Sequence, residues 1–144
     1  MFFLGQHTRS LDEKARLTIP STYRGAFEDG LVITRVQKPH LIIFTTEAWG
    51  DLIKRFEGKP LLTDERLANL RRLLFSNAER TNLDSHGRVR IPDHLRKHAQ
   101  IEKQAVVSGT GELVEIWAPS LWEEKQAELN TMPISDVQQE VLSI

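Results

Sequence analysis

Apolar and polar positions recur in the same order twice along this chain. Residues 5–11 read as an extended run leading into Asp12, and Leu17-Thr18-Ile19 alternates apolar and polar before Pro20. Pro20 and Ser21 predict the opening of a short helix over 21–27, and Gly30 closes that connection. Residues 31–36 and 41–45 are apolar runs on either side of Lys38-Pro39, the pattern of two strands and a turn. Over 46–56 the period lengthens: Trp49, Leu52, Ile53 and Phe56 recur at i, i+3, i+4 and i+7, predicting a helix with that face inward. Gly58-Lys59-Pro60 breaks it. Thr63-Asp64-Glu65 then predicts the start of the longest helix, to about Ser76, with Leu67, Leu70, Leu74 and Phe75 inward and Arg66, Arg71 and Arg72 outward.

The second half repeats this plan. Residues 12–20 read Asp-Glu-Lys-Ala-Arg-Leu-Thr-Ile-Pro and residues 84–92 read Asp-Ser-His-Gly-Arg-Val-Arg-Ile-Pro. Asp12, Arg16, Ile19 and Pro20 recur as Asp84, Arg88, Ile91 and Pro92, and Tyr23-Arg24 recurs as Leu95-Arg96. A helix to Ala99 follows Pro92-Asp93, residues 105–108 and 113–117 repeat the strand pair around Gly109 and Gly111, and residues 120–130 repeat the helix at 46–56. Phe44 and Trp49 match Trp117 and Trp122 with one residue gained between. Two copies with so long a period are a tandem fusion of one small module, not a solenoid. The expected division is 1–76 and 77–144. The tail from Thr131, with Pro133 and mixed polarity, is read as free or docked on a neighbour.

Asp-x-x-(Ala/Gly)-Arg between extended runs is a turn signal. The Asp caps the turn and the fourth position needs positive φ. Gly87 meets that need at no cost. Ala15 would incur about 1 kcal/mol in the left-handed region, so the first turn is expected to be either strained or differently built. Asp12, Ala15, Asp84 and Gly87 are thus assigned to turn structure.

With 144 residues the chain has one ordinary core, or two small ones that share surface. A half of that length is marginal alone, so the halves are expected to pack on each other or on other chains. There is no cysteine, which removes disulfides, thiolate metal sites and thiol nucleophiles and fits a reducing cytosol. The N-terminus has no basic region and only a short apolar run, so no signal peptide is expected, and no run is long enough to span a bilayer. The net charge of −1 is unevenly spread: seven Lys/Arg and three acids lie between Arg71 and Lys97, whereas seven acids and one Lys lie from Glu112 onward. Such polarity suits a nucleic-acid footprint on one face with the acidic zone turned away.

These motifs carry a resemblance. The duplicated Asp-x-x-(Gly)-Arg motif ending in Ile-Pro, with Ala78-Glu79, Leu95-Arg96-Lys97-His98-Ala99 and Glu115-Ile116-Trp117, resembles the MraZ family of bacterial transcriptional regulators over essentially the whole chain. The resemblance implies an α+β, β-rich fold in which two tandem AbrB-like swapped-hairpin modules form a pseudo-twofold barrel with flanking helices. It implies a sequence-specific DNA-binding protein of the cytoplasm and nucleoid. The implied target is short direct repeats in double-stranded promoter DNA, upstream of a division and cell-wall gene cluster that includes its own gene. It further implies ring-like homo-oligomers, with no cofactor, membrane or small-molecule substrate. Ala15 departs from the family's usual Gly.

The residues themselves point the same way. An arginine at the end of a tight turn is held close to the backbone, and its fork suits a phosphate or guanine O6/N7. The candidate DNA-binding residues are Arg9, Lys14 and Arg16 in the first copy and His86, Arg88 and Arg90 in the second. Arg16 is assigned base or near-base contact, and Arg9 and Lys14 phosphate contact. The competing reading for Arg16 and Arg88 is an ion pair with Asp12 or Asp84 that closes the turn. Trp49, Trp117 and Trp122 are read as core or subunit contacts rather than base-stacking platforms. His94 and His98 are four apart but lack a third donor, so no metal site is expected. No phosphate loop, nucleophile elbow or His-Glu-x-x-His motif is present. A catalytic Asp12/Asp84 pair is disfavoured, so no enzyme is expected. The alternative of another class is an antitoxin-like or scaffold module that grips a basic partner with its acidic C-terminal third.

Overall fold

The computed structural model describes residues 2–60 and 62–144. Eight strands and six helices follow in the order β1 (Gln6–Ser10), β2 (Arg16–Thr18), α1 (Ser21–Arg24), β3 (Leu31–Arg35), β4 (Leu41–Thr45), α2 (Thr46–Phe56), α3 (Glu65–Ser76), β5 (Glu79–Thr81), β6 (Arg88–Arg90), α4 (Asp93–Ala99), β7 (Gln104–Gly109), β8 (Val114–Trp117), α5 (Pro119–Thr131) and α6 (Ser135–Leu142). A single 3-10 turn, Gly25–Phe27, continues α1. The elements expected from the hydrophobic pattern are all present. Two were not anticipated: the short strand β5 and the helix α6 within the tail.

Local chemistry accounts for the helix boundaries. The Thr45 hydroxyl accepts the Ala48 N–H at 3.0 Å at the start of α2. At the start of α3 the Asp64 carboxylate accepts from Arg66 N at 3.1 Å and Leu67 N at 3.3 Å. Pro20 and Pro92 cap α1 and α4, and Pro119 occupies the first turn of α5.

The strands form a six-stranded sheet in the order β1-β7-β8-β4-β3-β5 and a two-stranded ribbon β2-β6. All described pairs are antiparallel. The copies of the repeat exchange strands at every level. β1 lies on β7, β5 on β3, and β2 on β6, while β4 and β8 meet at the middle of the large sheet. The two sheets are linked through a bridge between Leu11 and Leu17. β1 and β5 remain edges of the larger sheet, so the layers enclose the core without a hydrogen-bonded closure.

Side chains alternate across the large sheet. One face contributes Leu31, Ile33, Leu41, Ile43, Ala105, Val107, Val114 and Ile116 to the main core, where they meet Leu17 and Val89 of the ribbon, Ile19, Ile91, Tyr23 and Leu95. Val32, Ile42 and Phe44 face the other way and pack with Trp49 and Leu74 under α2 and α3. Trp49 and Trp117 are buried, as expected for core residues. Trp122 lies against Trp117, with ring centroids 5.7 Å apart, and its Nε1 donates to Gln6 Oε1 at 2.8 Å.

Two inward assignments fail. Ile53 is 43% exposed and Leu70 is 44% exposed. α2 packs through Trp49, Leu52 and Phe56, and α3 through Leu74 and Phe75, so each helix buries a narrower strip than its apolar stripe.

Candidate nucleic-acid interface

Both Asp-x-x-x-Arg segments fold into the same turn. In the first, Ala15 N donates to Asp12 O at 2.9 Å and Asp12 N to Arg16 O at 3.0 Å; in the second, Gly87 N donates to Asp84 O at 3.0 Å and Asp84 N to Arg88 O at 2.9 Å. Gly87 has φ +75° and Ala15 has φ +60°. The alanine therefore accepts the strained conformation instead of rebuilding the turn.

Each aspartate organises its turn with both oxygens. Asp12 Oδ1 accepts from Lys14 N at 3.0 Å and Arg16 N at 2.9 Å, and Oδ2 accepts Arg16 Nε at 2.7 Å. Asp84 Oδ1 accepts from His86 N and Arg88 N, both at 2.9 Å, and Oδ2 accepts Arg88 Nε at 2.8 Å. These bonds favour the charged carboxylate. The Arg88 backbone N–H, its side chain and the His86 N–H pull Asp84 from 3.8 to about 2 against a smaller opposing effect of burial. The Arg16 backbone N–H chiefly lowers Asp12 in the same way. Carboxyls held this firmly ionised are poor proton donors near neutral pH.

The competing ion pairs expected for Arg16 and Arg88 are thus present: each aspartate engages its own arginine through Nε, and Arg88 adds a longer contact across to Asp12. Among the described residues, the Nη groups of Arg16 have no hydrogen-bond partner, and Arg88 Nη1 lies 3.7 Å from Asp12 Oδ2. The carboxylate orients each guanidinium and leaves its outer edge available.

The ribbon then unites the two copies. In β2-β6, Arg16 lies opposite Arg90, Leu17 opposite Val89 and Thr18 opposite Arg88. Leu17 and Val89 are buried in the core. Alternation therefore places Arg16, Thr18, Arg88 and Arg90 together on the outward face. Like charges directly opposite on a sheet are destabilising. Here Asp12, Asp84 and Asp93 lie beside them, with Arg90 Nη2 3.5 Å from Asp93 Oδ1. The ribbon anticipated from the sequence was the hairpin itself. The actual ribbon takes one strand from each copy.

The other candidates are distributed around it. Lys14 and His86 are exposed at the two turn tips. Arg9 is on β1 opposite Ala105, in the large sheet rather than on the ribbon, and its Nη1 donates to Thr8 O at 3.0 Å.

Sequence reasoning missed two buttressing residues. Arg24 Nε donates to Ile19 O at 2.9 Å and Arg96 Nε to Ile91 O at 3.0 Å. Ile19 N in turn donates to Gly87 O, and Ile91 N to Ala15 O, both at 2.9 Å, so each copy's Ile-Pro segment braces the other copy's turn. Arg24 also lies flat on Gly87: a Cβ there would come within 2.3 Å of Arg24 Nε. The repeat of Tyr23-Arg24 as Leu95-Arg96 was the available signal.

A strand-swapped α+β protein with two copies of one turn, brought to a single arginine-bearing ribbon, is the class this architecture defines. A family model described as "MraZ protein, putative antitoxin-like" matches residues 2–72 and again 74–143. Relatives named "Transcriptional regulator MraZ" include one from Herpetosiphon aurantiacus, 39% identical over 121 residues and 84% of each chain. Another from Nocardioides sp. is 35% identical over 140 residues, 92% of this chain and 96% of its own. One from Alkaliphilus oremlandii is 34% identical over 128 residues, 89% of each. The chain belongs to the MraZ family.

Proposed function

We propose that this chain is a sequence-specific, DNA-binding transcriptional regulator. It would bind short direct repeats upstream of the division and cell-wall gene cluster that includes its own gene, in the cytoplasm and nucleoid. The observation that supports this reading most is the shared outward face of Arg16, Arg88 and Arg90 on one two-stranded ribbon. A ribbon of this kind fits the major groove, about 12 Å wide. Arg16 and Arg88, pre-oriented by their aspartates, lose little freedom on binding and offer a fork to guanine or phosphate. Lys14, His86, Arg90 and Arg9 would add phosphate contacts. The copies 1–76 and 77–144 each supply one turn, and the relatives' shared name is consistent with this role.

One ribbon makes few phosphate contacts. A ring-like homo-oligomer would present several ribbons to repeated boxes, and effective concentration would raise avidity by about 10²–10⁴. The test is fluorescence anisotropy on the promoter DNA upstream of the protein's own gene and on scrambled DNA, for wild type and Arg16→Ala at two salt concentrations. Salt-sensitive preference for the promoter that collapses in Arg16→Ala supports the proposal. Equal binding to both DNAs, or an unaffected variant, refutes the assignment of Arg16. That result would favour the antitoxin-like interaction module, for which the family description and the acidic C-terminal helices speak.

A further inference from the structure

The two-stranded ribbon has a near-symmetric backbone and unlike ends. The duplication relates Arg16 to Arg88, Leu17 to Val89 and Thr18 to Arg90. In β2-β6 the pairs are Arg16 with Arg90, Leu17 with Val89 and Thr18 with Arg88. A pseudo-twofold axis therefore runs through the Leu17–Val89 pair and exchanges the two ends. The surrounding backbone obeys it closely. Ile19 N to Gly87 O and Ile91 N to Ala15 O are both 2.9 Å, and the bonds from Arg24 Nε and Arg96 Nε are 2.9 and 3.0 Å. A ribbon symmetric in its side chains as well would lie on a duplex equally well in either direction.

The side chains break that symmetry. At one end the guanidinium groups of Arg16 and Arg90 stand on directly paired residues, with the Lys14 ammonium at the exposed turn tip. At the other end Arg88 is paired with Thr18, a hydroxyl and a methyl, and the exposed tip carries the His86 imidazole. The acids differ too. Asp93 touches Arg90 and Arg96 where the first copy has Ser21, and Glu13 stands where the second copy has Ser85. These two carboxylates offset the two extra cations, Lys14 and Arg90, so the ends differ in their donors rather than in net charge. Arg88 Nη1 also lies 3.7 Å from Asp12 Oδ2, and no contact of Arg16 with Asp84 matches it among the described residues. Two paired forks fit two neighbouring acceptors on guanine edges or phosphates. One fork beside a methyl fits fewer acceptors and a thymine methyl.

We infer that the Thr18/Arg90 difference sets the direction in which the ribbon lies on DNA, with the Arg16–Arg90 end towards the part of the site richer in acceptors. Arg16 and Arg88, equivalent by the pseudo-twofold, supply affinity in either direction. The second fork at one end alone makes one direction the stronger, as contacts that position a protein on the duplex do. Direct repeats need such a device, because all their boxes point the same way, whereas a palindrome would be served by a symmetric ribbon. The inference rests on the DNA-binding reading of the ribbon and adds the polarity of that contact and the residue pair that decides it.

The test is directed cleavage of DNA by the full chain. The protein has no cysteine, so Ser85→Cys puts a single thiol on the exposed second turn tip for an iron–EDTA label that cuts nearby DNA. On the promoter DNA upstream of the protein's own gene, cutting is expected on one flank of each protected box. The expected excess over the other flank is about tenfold, the ratio that an end-to-end difference of about 1.4 kcal/mol gives. In the same labelled chain, Thr18→Arg/Arg90→Thr moves the second fork to the other end and is expected to move the cutting to the opposite flank. Thr18→Arg alone gives both ends two forks and is expected to even out the flanks. Near-ultraviolet circular dichroism verifies folding of each variant. Equal cutting of both flanks without these substitutions, or one-sided cutting on the original flank that survives them, overturns the inference and leaves the DNA-binding reading intact. A labelled chain that protects no box in preference to scrambled DNA overturns the regulator reading itself.

Discussion

Gly87→Ala tests whether the cross-copy brace is real. The substitution puts a Cβ 2.3 Å from Arg24 Nε, 2.4 Å from its Cζ and 2.7 Å from its Cδ. Backbone strain is the smaller effect. Ala15 holds the same turn at φ +60°, and the left-handed cost of about 1–2 kcal/mol is partly offset by about 0.4–1 kcal/mol from the stiffer unfolded chain. The larger effect is expulsion of Arg24, whose charged donor loses Ile19 O, worth about 1–2 kcal/mol at a half-exposed site. The expected destabilisation is therefore about 2–3 kcal/mol. In an Arg24→Ala background the three atoms nearest that Cβ are gone and the backbone strain remains, about 1 kcal/mol. Urea unfolding of the four chains of this double-mutant cycle, at one protein concentration so that any self-association contributes equally, measures the coupling. Equal cost of Gly87→Ala with and without Arg24 would refute the brace.

Four further outcomes follow from the same geometry. Ala15→Gly relieves the first turn's strain and should be neutral or stabilising by up to about 1 kcal/mol in urea unfolding; clear destabilisation would contradict the positive φ. Asp84 is held below its ordinary value, so its stabilising effect is present above about pH 4 and disappears as pH falls towards about 2. Carbon-detected NMR titration of the carboxyl should give an apparent pKa near 2 in the folded chain, and a value of 3.8 would contradict the turn's hydrogen bonds. Arg90→Ala should lower the slope of log affinity against log salt by about 0.9 if Arg90 neutralises one phosphate, and an unchanged slope would exclude that contact. Ile116→Ala, in the fully buried face of β8, should cost about 2–5 kcal/mol by denaturant titration.

Most of the local structure is legible in the residues. The 3.6-residue recurrence of Trp49, Leu52 and Phe56 delimits α2, which runs Thr46–Phe56, because a helix must turn one stripe inward. The turn is legible because Asp, a residue tolerating positive φ, and Arg each perform a local task. The Ala15/Gly87 pair even discloses where strain sits. β5 is hidden because Glu79-Arg80-Thr81 has no apolar alternation; it is an edge strand recognised only by its pairing with β3. Ile53 and Leu70 read as inward because periodicity marks the apolar stripe but not how much of it a neighbour covers.

By itself the sequence determined the elements other than β5 and α6, their duplication, and the residue types at each turn, all consequences of contacts within a few residues. Only the tertiary structure decided that β2 pairs with β6 rather than closing a hairpin with its own copy, and hence that Arg16, Arg88 and Arg90 share one face. Alternation encodes which side of a strand is apolar, but any strand with the same alternation can satisfy the same backbone hydrogen bonds. The choice of partner is made by the whole core. Leu17 and Val89 are buried together by the cross-copy pair, and the braces from Ile19 to Gly87 and from Ile91 to Ala15 exist only in that arrangement.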